Sequence, residues 1–329
     1  MKRNSSICSK ILGIVLISML CIENSLSQST DESISDTSEY SIVFNSDESR
    51  AYTDIFILEM QDNQDSEITI LVENALSKFP VFSPIDPILA FISIHEDQYD
   101  IYMINFQEST LINLTENQNE EVFPRWSPDG SKIAYATLVD DNWEIYVMNL
   151  DDFSVNNITN QPESDEGRWG FDWSPDGGRI VFTSDRDINV GLYMMDSDGN
   201  NQTYLLPTPP FDDTFPIWSP SGDKIVFSAF RGQGSGIYLV DTDSQNMQLF
   251  LSTNEIPSSL SWSPDGSQIL YILCRGRVNT CDINRVNISD GISHPVTQNN
   301  RAELYASWIL TDRIMDFQIP FVLNSDLEE

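Results

Sequence analysis

Trp126-Ser127-Pro128-Asp129-Gly130 is the stretch that decides the fold, because versions of it return along the whole chain. The copies share an aromatic residue followed by a Ser-Pro turn, or a truncated form of it, and their aromatic residues are Phe82, Trp126, Trp173, Trp218, Trp262 and Trp308. Successive aromatic residues are 44 to 47 positions apart. A fixed period in this range is typical of solenoids, propellers and other repeat arrays.

Each copy has the pattern of four β-strands. Ser-Pro-Asp-Gly suits a tight type I turn, since Pro presets φ, Asp follows and Gly closes. A β-branched or aromatic run follows, such as Lys132–Ala136, and then a second run, such as Glu144–Met148. An Asp- and Asn-rich turn leads to an outer strand ending near Ile158-Thr159. Four strands per copy and no sustained helical period predict an all-β propeller of four-stranded antiparallel blades.

The two ends of the chain predict how the ring closes. Residues 40–72 supply the second, third and fourth strands of a blade, and Tyr305–Leu310 supplies its missing first strand. Joining both ends in one sheet gives six blades and removes the open edges. Arg313–Ile319 could instead form a second strand that competes with Ser41–Phe44. The predicted propeller spans residues 40–318, with a tail at 319–329.

The N-terminal segment has the features of an export signal. Basic residues precede an apolar run from Ile11 to Ile22, which is too short for the roughly 20 residues that span a bilayer. A small-x-small site predicts a signal peptide at 1–27 and a polar linker at 28–39. Cys21 leaves lipidation as an alternative, although Leu20 stands where a lipobox has a small residue. We expect a periplasmic or extracellular protein, without a transmembrane segment in the mature chain.

Composition limits the classes of partner. The chain has 329 residues, with 17 Lys+Arg against 51 Asp+Glu and a formal net charge of −34. Such a charge is repelled by phosphate backbones, so we expect no nucleic-acid partner. Only two histidines are present, which excludes chemistry that needs several imidazoles. We expect a monomer.

Two cysteines remain after removal of the predicted signal peptide. Cys274 and Cys281 flank a short polar loop between two extended segments. In an exported protein, a pair of cysteines across a hairpin indicates a disulfide, with free thiols as the alternative.

The repeated Trp-Ser-Pro-Asp-Gly phrase, followed by an Ile-Tyr strand, resembles the TolB-like β-propeller family, with its WD-type repeats. The resemblance covers roughly residues 40–310. The family's α/β domain has no counterpart in the short polar linker before the first strand, so the resemblance implies a stand-alone propeller. It implies a fold and leaves the activity open, because one fold supports many activities.

The loops opposite the Ser-Pro turns form the predicted binding face. Strand directions place there the hairpins between second and third strands and the connections between blades, which are long and varied. The predicted binding residues are Glu120, Glu121, Asp140, Asp141, Trp143, Asp165, Glu166, Arg168, Trp169, Asp185, Arg186, Asp187, Asp212, Asp213 and Arg231. Converging carboxylates would attract a cationic ligand, a protein or peptide, or Ca²⁺. The alternative is an acidic surface that keeps the protein soluble.

Two tryptophans, Trp143 and Trp169, fall outside the repeated position and are candidates for ligand contact. The tryptophans of the repeat are expected to pack between blades. They lie at equivalent positions on the predicted innermost strands.

Catalytic motifs are largely missing from the sequence. No Gly-x-Ser-x-Gly elbow occurs, and a lyase resembling oligogalacturonate lyase would need several metal-binding histidines. We therefore assign no catalytic residue and predict a non-catalytic binding module. The alternative is a carbohydrate-active or lactonase-type hydrolase that uses paired carboxylates, with or without a divalent ion.

Overall fold

The computed structural model describes residues 40–47, 53–60, 67–73, 76–95, 98–161, 164, 166–187, 189–206, 212–232, 234–275, 280–298, 301–311 and 321–322. The predicted signal peptide, the linker, Cys21 and Arg313–Ile319 lie outside these ranges. Within them the regular structure is β-sheet, without an α-helix. No helix in the described ranges is long and apolar enough to cross a membrane.

The strands follow one another with short connections and group by repeat. The first three are β1 (Tyr40–Asp47), β2 (Thr53–Glu59) and β3 (Glu67–Glu73). The next repeats comprise β4 (Lys78–Phe82), β5 (Ile88–His95), β6 (Gln98–Asn105), β7 (Thr110–Asn113), β8 (Glu121–Trp126), β9 (Lys132–Val139), β10 (Asn142–Asn149), β11 (Val155–Asn157), β12 (Glu166–Trp173), β13 (Arg179–Asp187), β14 (Asn189–Asp196) and β15 (Thr203–Tyr204). The last strands are β16 (Asp213–Trp218), β17 (Lys224–Arg231), β18 (Gly234–Asp241), β19 (Met247–Ser252), β20 (Ser258–Trp262), β21 (Gln268–Arg275), β22 (Thr280–Asn287), β23 (Ser293–Pro295), β24 (Ala302–Leu310) and β25 (Phe321–Val322).

Each complete repeat folds into one antiparallel sheet, which confirms the prediction of four strands per repeat. The strands β4 to β7, β8 to β11, β12 to β15 and β16 to β19 form four separate four-stranded blades. A nine-stranded sheet has the order β20-β21-β22-β24-β1-β2-β3-β25, with β23 paired to β22. A single parallel pair, Cys281 with Ala302, links β22 to β24 in that sheet.

The C-terminal strand β24 pairs with the N-terminal strand β1. The two run antiparallel, and Trp308 lies opposite Ile42. This is the pairing that the sequence predicted for Tyr305–Leu310, although the strand begins earlier, at Ala302.

The Ser-Pro-Asp-Gly phrases form tight turns between the first and second strands of a blade. The Gly130 N–H donates to the Ser127 carbonyl at 2.9 Å, and Gly130 has φ of 67°. Glycine suits this position because left-handed backbone strains other residues. The Ser127 hydroxyl donates to Asp129 Oδ1 at 2.6 Å, and this bond is the largest of the interactions that lower the pKa of Asp129 to about 2. The predicted turn is therefore present and stabilised by its own side chains.

The tryptophans of the repeat pack between blades, as predicted. The Trp126 indole N–H donates to the Val81 carbonyl of the preceding blade at 3.1 Å. Trp126, Trp173 and Trp218 are at most 8% exposed. These side chains therefore form part of the core that joins neighbouring blades.

The predicted disulfide between Cys274 and Cys281 is confirmed. The two residues lie directly opposite each other in the antiparallel pair of β21 and β22. The bond therefore ties the two sides of one hairpin together.

Candidate functional site

The predicted binding residues divide into an exposed set and a buried set. We define the loop face as the side of the molecule where β8, β12 and β16 begin and where the hairpins β9–β10, β13–β14 and β17–β18 turn. The exposed members are Glu120, Asp140, Asp141, Arg168, Asp187 and Asp212, and the partly exposed ones are Trp169, Asp185 and Arg186. Asp165 lies outside the described residues.

Three predicted carboxylates occupy one buried position of the repeat. Glu121, Glu166 and Asp213 each begin the innermost strand of a blade, and each is 0% exposed. Glu121 and Asp213 both stand five residues before the tryptophan of their repeat, and this spacing is a signal in the sequence. Glu166 stands seven residues before Trp173, so only the strand pairing reveals its equivalence. In this arrangement they face other parts of the protein, and a ligand on the surface does not reach them.

Two of the buried carboxylates are paired with arginines from the neighbouring strand. Arg186 Nη2 lies 2.8 Å from Glu166 Oε2. Arg231 donates to Asp213 from Nε at 3.0 Å and also from Nη2. Arg231 is itself only 9% exposed. These arginines neutralise buried acids, so they contribute less to the surface charge than the sequence suggests.

Of these three buried carboxylates, Glu121 is the one that pairs with no cation of the described chain. Asn117 Nδ2 donates to it at 2.9 Å and the hydroxyls of Thr115 and Thr137 at 3.1 and 3.4 Å, and no Lys or Arg of the described chain pairs with it. Burial, with a smaller contribution from the Asp100 charge, raises the pKa of Glu121 to about 7. The carboxyl therefore titrates near neutral pH.

The two tryptophans predicted to contact a ligand have different surroundings. Trp143 is 8% exposed and belongs to the core cluster that includes Ile145. Trp169 is partly exposed, and the Arg168 guanidinium lies 5.3 Å from its ring centre. Of the two, Trp169 is the one whose ring borders the loop face.

A metal site does not emerge from the titratable residues. In the described ranges, no group of three or more His, Cys, Asp or Glu side chains is arranged to hold an ion.

A central cavity of about 290 Å³ is the feature that the sequence analysis missed. Its walls come from the innermost strands β4, β8, β12, β16, β20 and β24. It extends to Pro175 and Pro220, which are exposed residues of the Ser-Pro turns. The cavity therefore opens on the side opposite the loop face, which we call the turn face.

Four aromatic side chains close the other end of the cavity. Phe79 lies 4.4 Å from Phe123 and 3.7 Å from Tyr305, and Phe123 lies 6.1 Å from Phe215 (ring centres). The three phenylalanines have φ of 53° to 55° at β-bulges of their strands. A bulge re-aims a side chain, and here the rings meet one another across the centre. The repeated Phe-Pro pair, three residues before the aromatic residue of the repeat, was the available signal.

Two charged side chains, Arg125 and Asp172, line the cavity among otherwise apolar and small polar groups. Both stand directly before the tryptophan of their repeat, where other copies have Val, Ile or Ser. Asp172 Oδ2 accepts the Trp218 main-chain N–H at 2.8 Å. Burial raises the pKa of Asp172 to about 6, although the Arg125 charge opposes this shift, and burial lowers the pKa of Arg125.

Comparison with known proteins agrees with this geometry. The model of the TolB beta propeller domain matches residues 39–208, just over half of the chain. The chain belongs to the TolB beta-propeller family. Curated protein sequences include no match to this TolB-family chain.

Solved structures show the same fold. TolB from Acinetobacter baumannii is 20% identical with a TM-score of 0.68, and the match covers 82% of this chain and 66% of that chain. An Agrobacterium tumefaciens protein assigned as TolB is 23% identical with a TM-score of 0.54, covering 69% and 95%. An oligogalacturonate lyase in complex with manganese is 14% identical with a TM-score of 0.58, covering 78% and 74%. The chain thus spans slightly less than two thirds of the Acinetobacter protein, and at these identities the likeness concerns the fold.

Proposed function

We propose that this TolB-family propeller is an exported, non-catalytic binding module that recognises a basic segment of a protein or peptide through its acidic loop face. The observation that carries the proposal is that two buried acids of this region are paired with arginines, whereas four other acids remain exposed. The buried acids Glu166 and Asp213 are paired with arginines, whereas Glu120, Asp140, Asp141 and Asp212 remain exposed.

The proposal includes a closed ring of six blades. Two observations support it: innermost strands contact one another in the cyclic order β4, β8, β12, β16, β20, β24 and again β4, and β24 pairs with β1. Closure would leave no open sheet edge and would hold the loops of all blades in one rigid frame.

With Asp187 of the β13–β14 hairpin, which is also exposed, the exposed carboxylates belong to three consecutive blades. Glu120 precedes β8, Asp140 and Asp141 form the β9–β10 hairpin, and Asp212 precedes β16. Like charges held on neighbouring loops add their potentials and attract a cation, most strongly at low salt. Ca²⁺ is the divalent ion that such oxygen ligands would suit.

Export to the periplasm or the extracellular space completes the proposal, with cleavage after residue 27. Membership of the TolB family and the basic, then apolar N-terminal sequence support it. We propose that the mature protein is a monomer, without a lipid at Cys21.

The test is binding of a decalysine peptide, measured by isothermal titration calorimetry at about 50 and 300 mM NaCl. The loop-face variant combines Glu120→Gln, Asp140→Asn, Asp141→Asn and Asp212→Asn. Asparagine tolerates the left-handed backbone at 140 and 141 and keeps the acceptor that Asp212 Oδ1 offers to the Val190 N–H. We expect this variant to lose at least tenfold in affinity at the lower salt concentration.

The matched control removes the same charge from the turn face with Asp151→Asn, Asp152→Asn, Asp243→Asn and Asp290→Asn, all exposed positions. We expect it to bind decalysine within about twofold of the native protein. Equal losses in both variants would show that net charge alone attracts the peptide, and the proposal would be wrong. Thermal melts in Ca²⁺ and in EDTA test the metal separately, and identical midpoints would exclude Ca²⁺ from the folded protein.

A further inference from the structure

The central cavity has the properties of a small-molecule site distinct from the loop face. At about 290 Å³ it lies just below the roughly 300–1,000 Å³ typical of ligand pockets, a size that suits a small ligand. It opens at the turn face, and the cluster of Phe79, Phe123, Phe215 and Tyr305 separates it from the loop face.

The Arg125 guanidinium forms few interactions with the rest of the protein. Its five N–H groups make one hydrogen bond, from Nη1 to the Pro124 carbonyl at 3.2 Å, and no carboxylate of the described chain forms an ion pair with it. A partly buried guanidinium favours a planar, bidentate partner such as a carboxylate.

Asp172 places a negative charge on the neighbouring strand. One oxygen accepts the Trp218 N–H, and the carboxylate makes no ion pair within the described residues. A charge removed from water is stabilised by a partner of opposite sign. Arg125 and Asp172 influence each other electrostatically without direct contact, so both remain available to a third group.

The serines of the cavity wall are already engaged. Ser261 Oγ accepts the main-chain N–H of Trp308 at 3.3 Å, and Ser259 Oγ accepts the main-chain N–H of Ala306 at 2.8 Å. The Ser307 hydroxyl donates to the Pro80 carbonyl at 3.3 Å. The charged recognition available to a ligand therefore lies at Arg125 and Asp172. The indole N–H groups of four cavity-lining tryptophans, which are buried without a partner in the described chain, are further donors: Trp173, Trp218, Trp262 and Trp308.

We propose that the cavity binds a zwitterionic small molecule of the α-amino-acid type with an apolar side chain, its carboxylate on Arg125 and its ammonium group on Asp172. The aromatic cluster receives the apolar side chain. A simple anion would be repelled by Asp172 and by the net charge of −34, whereas a zwitterion carries no net charge. An amine alone would leave Arg125 unpaired.

The experiment is isothermal titration calorimetry with L-phenylalanine and L-leucine. Two probes each lack one charge: 3-phenylpropionate has no ammonium group and phenethylamine has no carboxylate. We expect saturable binding of at least one amino acid and at least tenfold weaker binding of both single-charge probes. If no amino acid binds, or if either single-charge probe binds as well as L-phenylalanine, the proposal is wrong.

Variants locate the site. Arg125→Met and Asp172→Asn should each weaken amino-acid binding at least tenfold. In Asp172→Asn, the oxygen of the side-chain amide can still accept the main-chain N–H of Trp218. Arg125→Lys keeps the charge without the bidentate geometry, so we expect an intermediate loss of affinity. This variant still tests the site if Arg125→Met fails to fold. Lys224→Gln, on the exposed turn face, is the matched control and should bind normally. Folded Arg125 and Asp172 variants with unchanged affinity would refute the assignment.

This inference does not depend on the proposed function. The loop-face variant should bind the amino acid normally, and the Asp172 variant should bind decalysine normally. Failure of one proposal is therefore distinguishable from failure of the other.

Discussion

Glu121→Gln is the substitution for which the structure predicts the sharpest outcome. Glu121 is 0% exposed and lacks a cation in the described chain, and burial raises its pKa from the ordinary value near 4.5 to about 7. The folded state therefore favours the protonated acid. The contribution of the Glu121 proton to the free energy of unfolding is fully present below pH 4.5, the ordinary pKa of a glutamate in the unfolded chain. This contribution is lost as the pH rises towards and through 7.

The magnitude follows from the two pKa values. At about 1.4 kcal/mol per pKa unit, ionisation of Glu121 lowers the free energy of unfolding by about 3 kcal/mol at pH 8, and by less than about 1 kcal/mol at pH 5. Glutamine has the same shape without the charge, and its amide oxygen can still accept from Asn117. The variant should therefore be more stable than the native protein at pH 8 and similar to it at pH 5.

Urea unfolding followed by tryptophan fluorescence at several values between pH 5 and pH 8 measures the effect. The difference between variant and native protein should grow by about 2–3 kcal/mol over this range. Asp172 and Asp213 also titrate near pH 6, but they are present in both proteins, so their effects cancel. Glu120→Gln, one residue earlier and exposed, is the matched control and should change stability little at any pH. Parallel profiles for Glu121→Gln and the native protein would refute the reasoning.

Three further predictions concern stability. Asp213→Asn should destabilise by about 3–5 kcal/mol in urea because it leaves the buried Arg231 without its partner, and a loss under about 1 kcal/mol would contradict the role of this pair. Gly199→Ala should destabilise by about 3 kcal/mol or more, since its Cβ would lie 2.3 Å from a carbonyl oxygen and φ is +88°. Gly291→Ala, with φ of +69° and open space around it, should lower the free energy of unfolding by only about 1 kcal/mol. Equal losses in Gly199→Ala and Gly291→Ala would show that crowding at Gly199 is unimportant. Cys274→Ser should lower the free energy of unfolding by about 2 kcal/mol. A reductant should lower the melting temperature of the native protein but leave that of this variant unchanged.

The loop face shows where sequence reasoning reached its limit. Glu120 and Glu121 are adjacent carboxylates in one acidic loop, and sequence alone placed both in the binding face. The first is exposed and the second fully buried, because successive side chains at the start of a strand point in opposite directions. Charge composition does not record that direction.

The sequence by itself determined the period, the four strands of each repeat, the Ser-Pro-Asp-Gly turns, the packing of the repeated tryptophans and the Cys274–Cys281 disulfide. These features depend on local backbone preferences and on residues that recur in register, so each copy reports the same structure independently. Only the tertiary structure decided which acids meet arginines and that Arg125 and Asp172 share one cavity. The acid–arginine pairs join adjacent strands of one blade and depend on strand register and side-chain direction. Arg125 and Asp172 lie on innermost strands of different repeats, so their proximity depends on how the blades pack around the centre.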